Sequence, residues 1–258
     1  MNTQYKKYAD VAALAGRIML ESHAESYRVE DTVRRIMQTS GLNITEVVST
    51  TTGLYMTLDD TNPEITPITQ VRRITERGNH LRKIYHVNNV SRQLTAGHIS
   101  IDEAKQKLEY IDESEYTAYS KDMAIILMVV AFTLLLGGSW LEMLISIIAG
   151  AIVALSRIGR ELTGMNHLMF GTFATALTAF IIPIVLSFIP QSLNSDIIII
   201  SALMPLYPGT AFMNGIRDTL KGDYNSGLAR IADALVIAVS LAIGVAIGLS
   251  LSSGVIGA

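Results

Sequence analysis

DIIIISALMPLYPGTAFMNGIRD, residues 196–218, begins apolar enough to enter a bilayer and then breaks. Ile197 to Leu203 is a good start for a membrane helix. Pro205 and Pro208 remove backbone donors and clash with preceding carbonyls, and Gly209 loosens the chain further. The carbonyls near Ser201 and Met204 are expected to lose their partners. In hydrocarbon that is costly unless the freed groups face protein or a watery cavity. Transporters use such breaks to bind substrates and ions near mid-membrane. Thr210 and Asn214 follow at i,i+4, Asp218 continues their face, and Arg217 lies beside it. The stretch reads as a broken span followed by a polar stripe, a candidate substrate path. Proline-kinked helices are also common as plain structure.

Composition places that span in context. Of 258 residues 50% are apolar and 17% charged, and the mean hydropathy is +0.37. Fifteen of the 20 Lys and Arg lie in residues 1–121, with 16 of the 23 acidic residues. The N-terminal half therefore reads as soluble protein and the C-terminal half as membrane. Near charge balance in the soluble half argues against a nucleic-acid partner. The chain has no cysteine, which excludes disulfides, thiol catalysis and Cys-based metal sites. Asp10 and Arg17 interrupt the N-terminus, so it does not read as a signal peptide and the first domain is expected to stay in the cytosol.

Periodicity predicts an α+β domain over 1–121, followed by a transmembrane α-helical domain over 122–258. Val11, Leu14, Ala15, Ile18 and Met19 recur at helical spacing, giving a helix over about 5–22. A second covers about 28–39, with Val29, Val33, Ile36 and Met37 on one face. Glu30–Arg34 and Asp31–Arg35 are i,i+4 pairs, and Gly41 ends the helix. ITEVVSTTTGLYMTL, residues 44–58, reads as a hairpin turning near Thr52-Gly53. A third strand is expected near 66–74, then helices at about 79–96 and 101–113. Ser100 to Glu103 has a capping-box pattern.

Beyond Lys121 five spans are expected, at about 123–137, 139–155, 168–189, 197–216 and 233–251. The first two are short for a hydrocarbon core of about 30 Å and demand a tight turn at Gly137-Gly138-Ser139-Trp140. The basic residues after 121 are Arg157, Arg160, Arg217, Lys221 and Arg230, and they fall in only two loops. Five spans put both loops on the side of the N-terminal domain, which the positive-inside rule makes the cytoplasm. The C-terminus then faces outward. Three or four spans would put a basic loop outside.

Other positions invite chemistry. Glu142, three residues into the second span, is a candidate proton site. It sits beside Trp140 near the outer interface, where snorkelling to water is a simpler reading. Arg28, Glu30 and Asp31 form an RVED motif suited to gating or docking, although helix pairing alone accounts for it. Asp218 or Asp223 with Arg217 or Arg230 are candidate switching ion pairs in a glycine-rich loop that also reads as merely solvated. Gly244 and Gly248 form a close-packing face. Pro183 is expected to kink the third span. The histidines lack metal-site pairing, His80 and His86 lying at i,i+6, so no metal or cofactor is expected. No nucleophile elbow, HExxH or phosphate loop supports an enzyme.

PLYPGTAFMNGIRDTLKGDYNSGLARIADALVIAVSLAIG, from Pro205, resembles the P-G…NGIRD…GDYxSGxAR segment of the threonine/serine exporter family. AGRIMLESHAESYRVEDTVRRI, near the N-terminus, is similar to that family's opening aG-x-x-LL…RVE motif. The two matches stand in the family's order and the resemblance spans essentially the whole chain. His23 replaces the usual glycine, which puts the turn there in question, and Asp233 replaces the commoner glutamate. The resemblance implies an inner-membrane exporter with a cytosolic N-terminal domain. It implies the first component of the split, two-gene form, completed by a small separate multi-span membrane protein in a hetero-oligomer.

The reading is therefore a component of a secondary exporter of small polar metabolites, with threonine and serine expected. Proton drive is expected because no nucleotide-binding motif is present. Small dicarboxylates such as succinate are the second substrate class. The rival is a membrane-anchored regulatory or enzymatic cytosolic domain, for which five spans are more than an anchor needs.

Overall fold

A computed structural model describes residues 2–75, 77–113, 116–164 and 166–257. The chain forms two compact units. The first comprises residues 1–115 and 209–232, and the second residues 116–208 and 233–258. The first unit thus takes in a stretch from late in the chain that a single boundary at 121 would assign to the membrane domain.

The first unit opens with α1 (Asn2–Glu21) and α2 (Ser26–Gln38). The α2 face read from periodicity is the buried one: Val29, Val33, Ile36 and Met37 are all fully covered. Asp31 pairs with Arg35 at 2.8 Å. Glu30 does not turn to Arg34; it accepts from the backbone N–H of Ser49 at 2.8 Å and its hydroxyl at 3.1 Å. Strands β1 (Ile44–Thr50), β2 (Gly53–Asp59) and β3 (Ile68–Arg73) form an antiparallel sheet in that order. Thr50 faces Gly53 across the turn, and Tyr55 faces both Val48 and Val71. Leu54, Met56 and Leu58 alternate inward along β2, as a half-buried strand requires. A Cβ on Gly16 would lie 2.5 Å from Leu54 Cδ2 and 2.7 Å from Val33 Cγ2, so this glycine lets the sheet and α2 close on α1. Helices α3 (Leu81–Thr95) and α4 (Ile101–Glu113) follow. Ser100 and Glu103 cap α4 reciprocally.

The second unit contains α5 (Ala118–Leu135), α6 (Trp140–Thr163), α7 (His167–Ser187), α8 (Ser195–Leu203) and most of α10 (Tyr224–Ile256). Gly137, at φ +85°, makes the tight turn between α5 and α6. Arg157 of α6 grips Asp122 of α5 with bonds of 2.8 and 3.0 Å. Gly244 and Gly248 pack on α7, where added Cβ atoms would meet Thr172 O at 2.4 Å and Ala176 O at 2.3 Å. Thr172 and Thr175 hydroxyls donate across this seam to Ser240 O and Leu241 O. Pro183 lies inside α7.

Among the described residues three helices are long and apolar enough to cross a membrane: Trp140–Arg157, Leu168–Ser187 and Tyr224–Ile256. The 197–216 stretch is not one bent helix. It divides into α8, nine residues long, and α9 (Gly209–Leu220), which belongs to the first unit. At about 1.5 Å per residue α8 alone falls far short of a 30 Å core. The carbonyls at the break keep partners. Ser201 O accepts from Met204 N, Leu203 O from Leu206 N and Tyr207 N, and Met204 O from Tyr207 N. The prolines end α8 in a tight turn that satisfies the backbone, so the expected freed carbonyls at Ser201 and Met204 are absent.

Candidate functional site

The polar residues of α9 and the start of α10 converge on one short turn of the first unit, residues 21–26, between α1 and α2. His23 sits there with φ +62°, in the left-handed region glycine favours. The turn expected from a glycine at this place is therefore made with a histidine. At this turn the carbonyls of His23 and Ala24 accept from side chains outside α1 and α2, and Glu25, the residue at the N-cap of α2, makes no side-chain cap bond.

The partners are supplied from α9 and α10. Asn214 Nδ2 donates to His23 O at 2.8 Å. Arg230 Nη2 donates to Ala24 O at 2.8 Å. Asp218 takes the N-terminus of α2: its Oδ1 accepts from Ser26 N and its Oδ2 from Ser26 Oγ, both at 3.2 Å. A carboxylate there satisfies an orphan N–H and meets the positive end of the helix dipole. Arg230 Nε lies 3.1 Å from Asp218 Oδ2, and both side chains are buried, 5% and 1% exposed. Arg217 pairs with Glu25, whose other oxygen lies 3.7 Å from Arg28. Lys221 stacks over the ring of Tyr27, 3.5 Å from its centroid. Burial pushes the Asp218 carboxyl above its ordinary value, while Arg230 and the two Ser26 donors pull it back. Its ionisation thus depends on the guanidinium staying beside it.

Local sequence builds this presentation. Gly222, at φ +90°, turns α9 into α10, and Asp223 Oδ1 caps α10 by accepting from Ser226 N at 3.1 Å. A Cβ on Gly227 would meet Thr219 Oγ1 at 2.1 Å and Gly215 O at 2.8 Å. The glycines of NGIRD and NSG therefore let the two helices touch backbone to backbone, which places Asp218 and Arg230 side by side.

The expected site residues fall into groups. Asn214, Arg217, Asp218 and Arg230 meet at the turn. Thr210 shares their face and donates to Asn79 Oδ1 at 2.8 Å. Of the RVED motif, Arg28 reaches Glu25, Glu30 holds Ser49, and Asp31 stays on its own helix. Pro205 and Pro208 shape the turn before α9, and Gly209 begins that helix. Asp223 caps rather than pairs. Glu142 does not snorkel: it is 6% exposed, and its two oxygens accept from Ser139 N and Asn194 N, each at 2.6 Å. Sequence reasoning missed Glu25, Ser26 and Tyr27. Their only signal is position, immediately before RVED where α2 must be capped. Among the described residues no group of His, Asp and Glu is arranged for a metal ion.

A family model described as "Putative threonine/serine exporter" matches residues 10–252. A Mycobacterium tuberculosis protein named "Probable threonine/serine exporter" is 20% identical over 95% of this chain, which spans 46% of that relative's length. Proteins named "Probable succinate transporter subunit YjjP" are similar too. The one from Escherichia coli is 24% identical, covering 92% of this chain and 91% of the relative. The one from Klebsiella aerogenes is 23% identical, with 90% and 89% covered. No solved structure matches. With the match running from within α1 through the α1–α2 turn and α9 into the last turns of α10, the chain belongs to the threonine/serine exporter family.

Proposed function

We propose that the chain is one component of a secondary exporter of small polar metabolites, driven by the proton gradient. In this reading residues 1–121 and α9 are cytosolic, the membrane domain has five segments, of which α8 with the proline turn after it is the short fourth, and the C-terminus faces outward. A small multi-span membrane protein completes the exporter. The names of the relatives divide the substrate between threonine or serine and a dicarboxylate such as succinate.

The observation that carries the reading is the clasp at residues 21–26. A soluble domain merely anchored to a membrane has no need of buried charge from a late segment. Here Asn214, Asp218 and Arg230 all reach back to one turn. We assign the clasp the role of holding α9 and the start of α10 in one of two positions during the cycle. Release would expose the polar face of Thr210, Asn214 and Asp218 to substrate, with Arg217, Asp223 and Arg230 flanking it, and the turn at Pro205, Pro208 and Gly209 would hinge the movement. Arg28 and Glu30 brace the clasp through Glu25 and Ser49, while Asp31 stiffens α2 by pairing with Arg35.

The test is efflux of preloaded labelled threonine, and separately labelled succinate, from cells lacking their own exporters. The chain is expressed alone and with the candidate partner. Efflux of either compound only when both proteins are present supports the split exporter and names its substrate. Efflux of neither, with both proteins in the membrane, overturns the reading.

A further inference from the structure

The sheet of the first unit has two edges, and they are finished differently. In an antiparallel ladder alternate residues turn their backbone groups to opposite sides. At the β1 edge Ser49 is outward and covered: its N–H donates to Glu30 at 2.8 Å, and its C=O accepts from Ser226 Oγ at 3.5 Å. The β3 edge is bare. Ile74 N donates to Thr52 O at 2.9 Å, one step beyond the Gly53–Arg73 pairing, so Ile68, Gln70 and Arg72 bond to β2. Thr69, Val71 and Arg73 then turn their N–H and C=O outward, and among the described residues none of these groups has a partner. No proline or bulge interrupts β3, whose register with β2 is unbroken from Ile68 to Arg73. Proteins usually blunt such an edge.

The exposed face adds an apolar row that ends at this edge. Val48, Tyr55 and Val71 stand side by side across the three strands, 58%, 46% and 56% exposed. To continue the row, an added strand must bring an apolar residue beside Val71, and β3 itself does so. Laid antiparallel on a second β3 with Val71 on the twofold axis, the row runs on through the same residues of the second copy. Arg73 then faces Thr69, so no cation meets its own image. On the other face Arg72 stands opposite Gln70 of the second copy. Gln70 Nε2 donates to Asp10 at 2.7 Å, and Arg72 lies 3.9 Å from that carboxylate within its own chain. Opposed side chains on paired strands are closer than neighbours two apart on one strand, so each Arg72 gains the other copy's Asp10. The edge is complementary to itself in hydrogen bonds, apolar surface and charge.

We propose that β3 is a dimerisation edge, through which two copies of this chain pair antiparallel about Val71 and join their three-stranded sheets into one. The pairing is independent of the exported compound and of the exporter reading.

The chain has no cysteine, so an introduced thiol is unique. Val71→Cys, Thr69→Cys and Arg73→Cys are made in the full chain, and membranes holding each are treated with a mild oxidant. Paired residues on the axis lie about 5.5 Å apart between Cα atoms, within reach of a disulfide. Thr69 and its counterpart are offset by about 14 Å along the strands, too far to bridge. Val71→Cys should therefore give a reducible dimer, and Thr69→Cys or Arg73→Cys alone should not. Co-expressing Thr69→Cys with Arg73→Cys should restore the band. Val71→Pro removes only an outward N–H, so β2 keeps its bonds. In detergent this variant should keep the circular dichroism of the parent and have the protein mass of one chain, where the parent has that of two. Absence of both the Val71→Cys band and the mixed band overturns the proposal. So does equal crosslinking at all three positions, or a Val71→Pro chain that keeps the mass of two.

Discussion

Asp218 and Glu142 are both buried carboxylates that accept backbone N–H groups at helix N-termini, yet they are built in opposite ways. Glu142 closes a capping box on its own helix with Ser139 and adds one bond, to Asn194 N. Its frame is local and, among the described residues, contains no cation within ion-pair distance. Asp218 caps a helix 192 residues earlier in the chain and shares its site with a buried guanidinium. The first needs an acceptor of the right reach. The second needs a charge, a countercharge and the fold that joins them. A structural cap and a candidate switch can thus carry the same functional group, and its partners tell them apart.

The sharpest way to break this comparison is to remove the countercharge. Arg230→Met strands the Asp218 carboxylate in a buried site and deprives Ala24 O of its donor. Breaking one side of a buried pair costs about 3–5 kcal/mol. Chemical denaturation of the purified chain in detergent should show a loss of that size. Adding Asp218→Asn to Arg230→Met should recover a large part of it, since no unpaired charge then remains. Simple additivity of the two changes would mean that the pair is not coupled, and that Asp218 is only another cap.

The same variant makes a pH prediction. Burial already raises the Asp218 carboxyl above its ordinary 3.8, and Arg230 is the main opposing influence. In Arg230→Met the native value rises further. A carboxyl with a raised native value contributes stability that is fully present below 3.8 and is lost as pH rises through that native value. The penalty of Arg230→Met should therefore shrink on acidification and grow towards neutral pH, because a proton replaces the missing cation. Melting temperatures of parent and variant across the acid range read this directly. A penalty that is flat with pH would show that Asp218 does not titrate there.

How much of this was legible depends on reach along the chain. Helix faces, the β1–β2 hairpin and the Ser100 box follow from spacings of a few residues, and the chain adopts them. The break after Leu203 was legible as well, because proline chemistry is local. Its consequence was not: whether the carbonyls of Ser201 and Met204 go unpaired depends on how the next three residues turn. Glu30 shows the same limit, since Arg34 at i+4 was the visible partner and Ser49 on β1 won. The clasp was half legible. Asn214, Arg217, Asp218 and Arg230 stood out as polar residues near apolar runs, but nothing in spacing ties them to residues 23–26. That link exists only once Gly215 and Gly227 bring α9 and α10 into contact.

The smallest expected effect lies at Glu142 and closes the comparison from its other side. Glu142→Gln keeps one side-chain oxygen and gives up the other, so either Ser139 N or Asn194 N loses its acceptor. Losses of this kind at a helix N-terminus cost about 1 kcal/mol. Melting in detergent should drop only slightly, and efflux, once established with the partner, should persist with an unaltered pH profile. That outcome fits a residue whose bonds are all to backbone donors and whose charge is used for nothing else. Loss of efflux in a chain that melts like the parent would reverse the assignment. It would mean that the proton itself matters at this position, and that local bonding hides a coupling site as effectively as an ion pair reveals one.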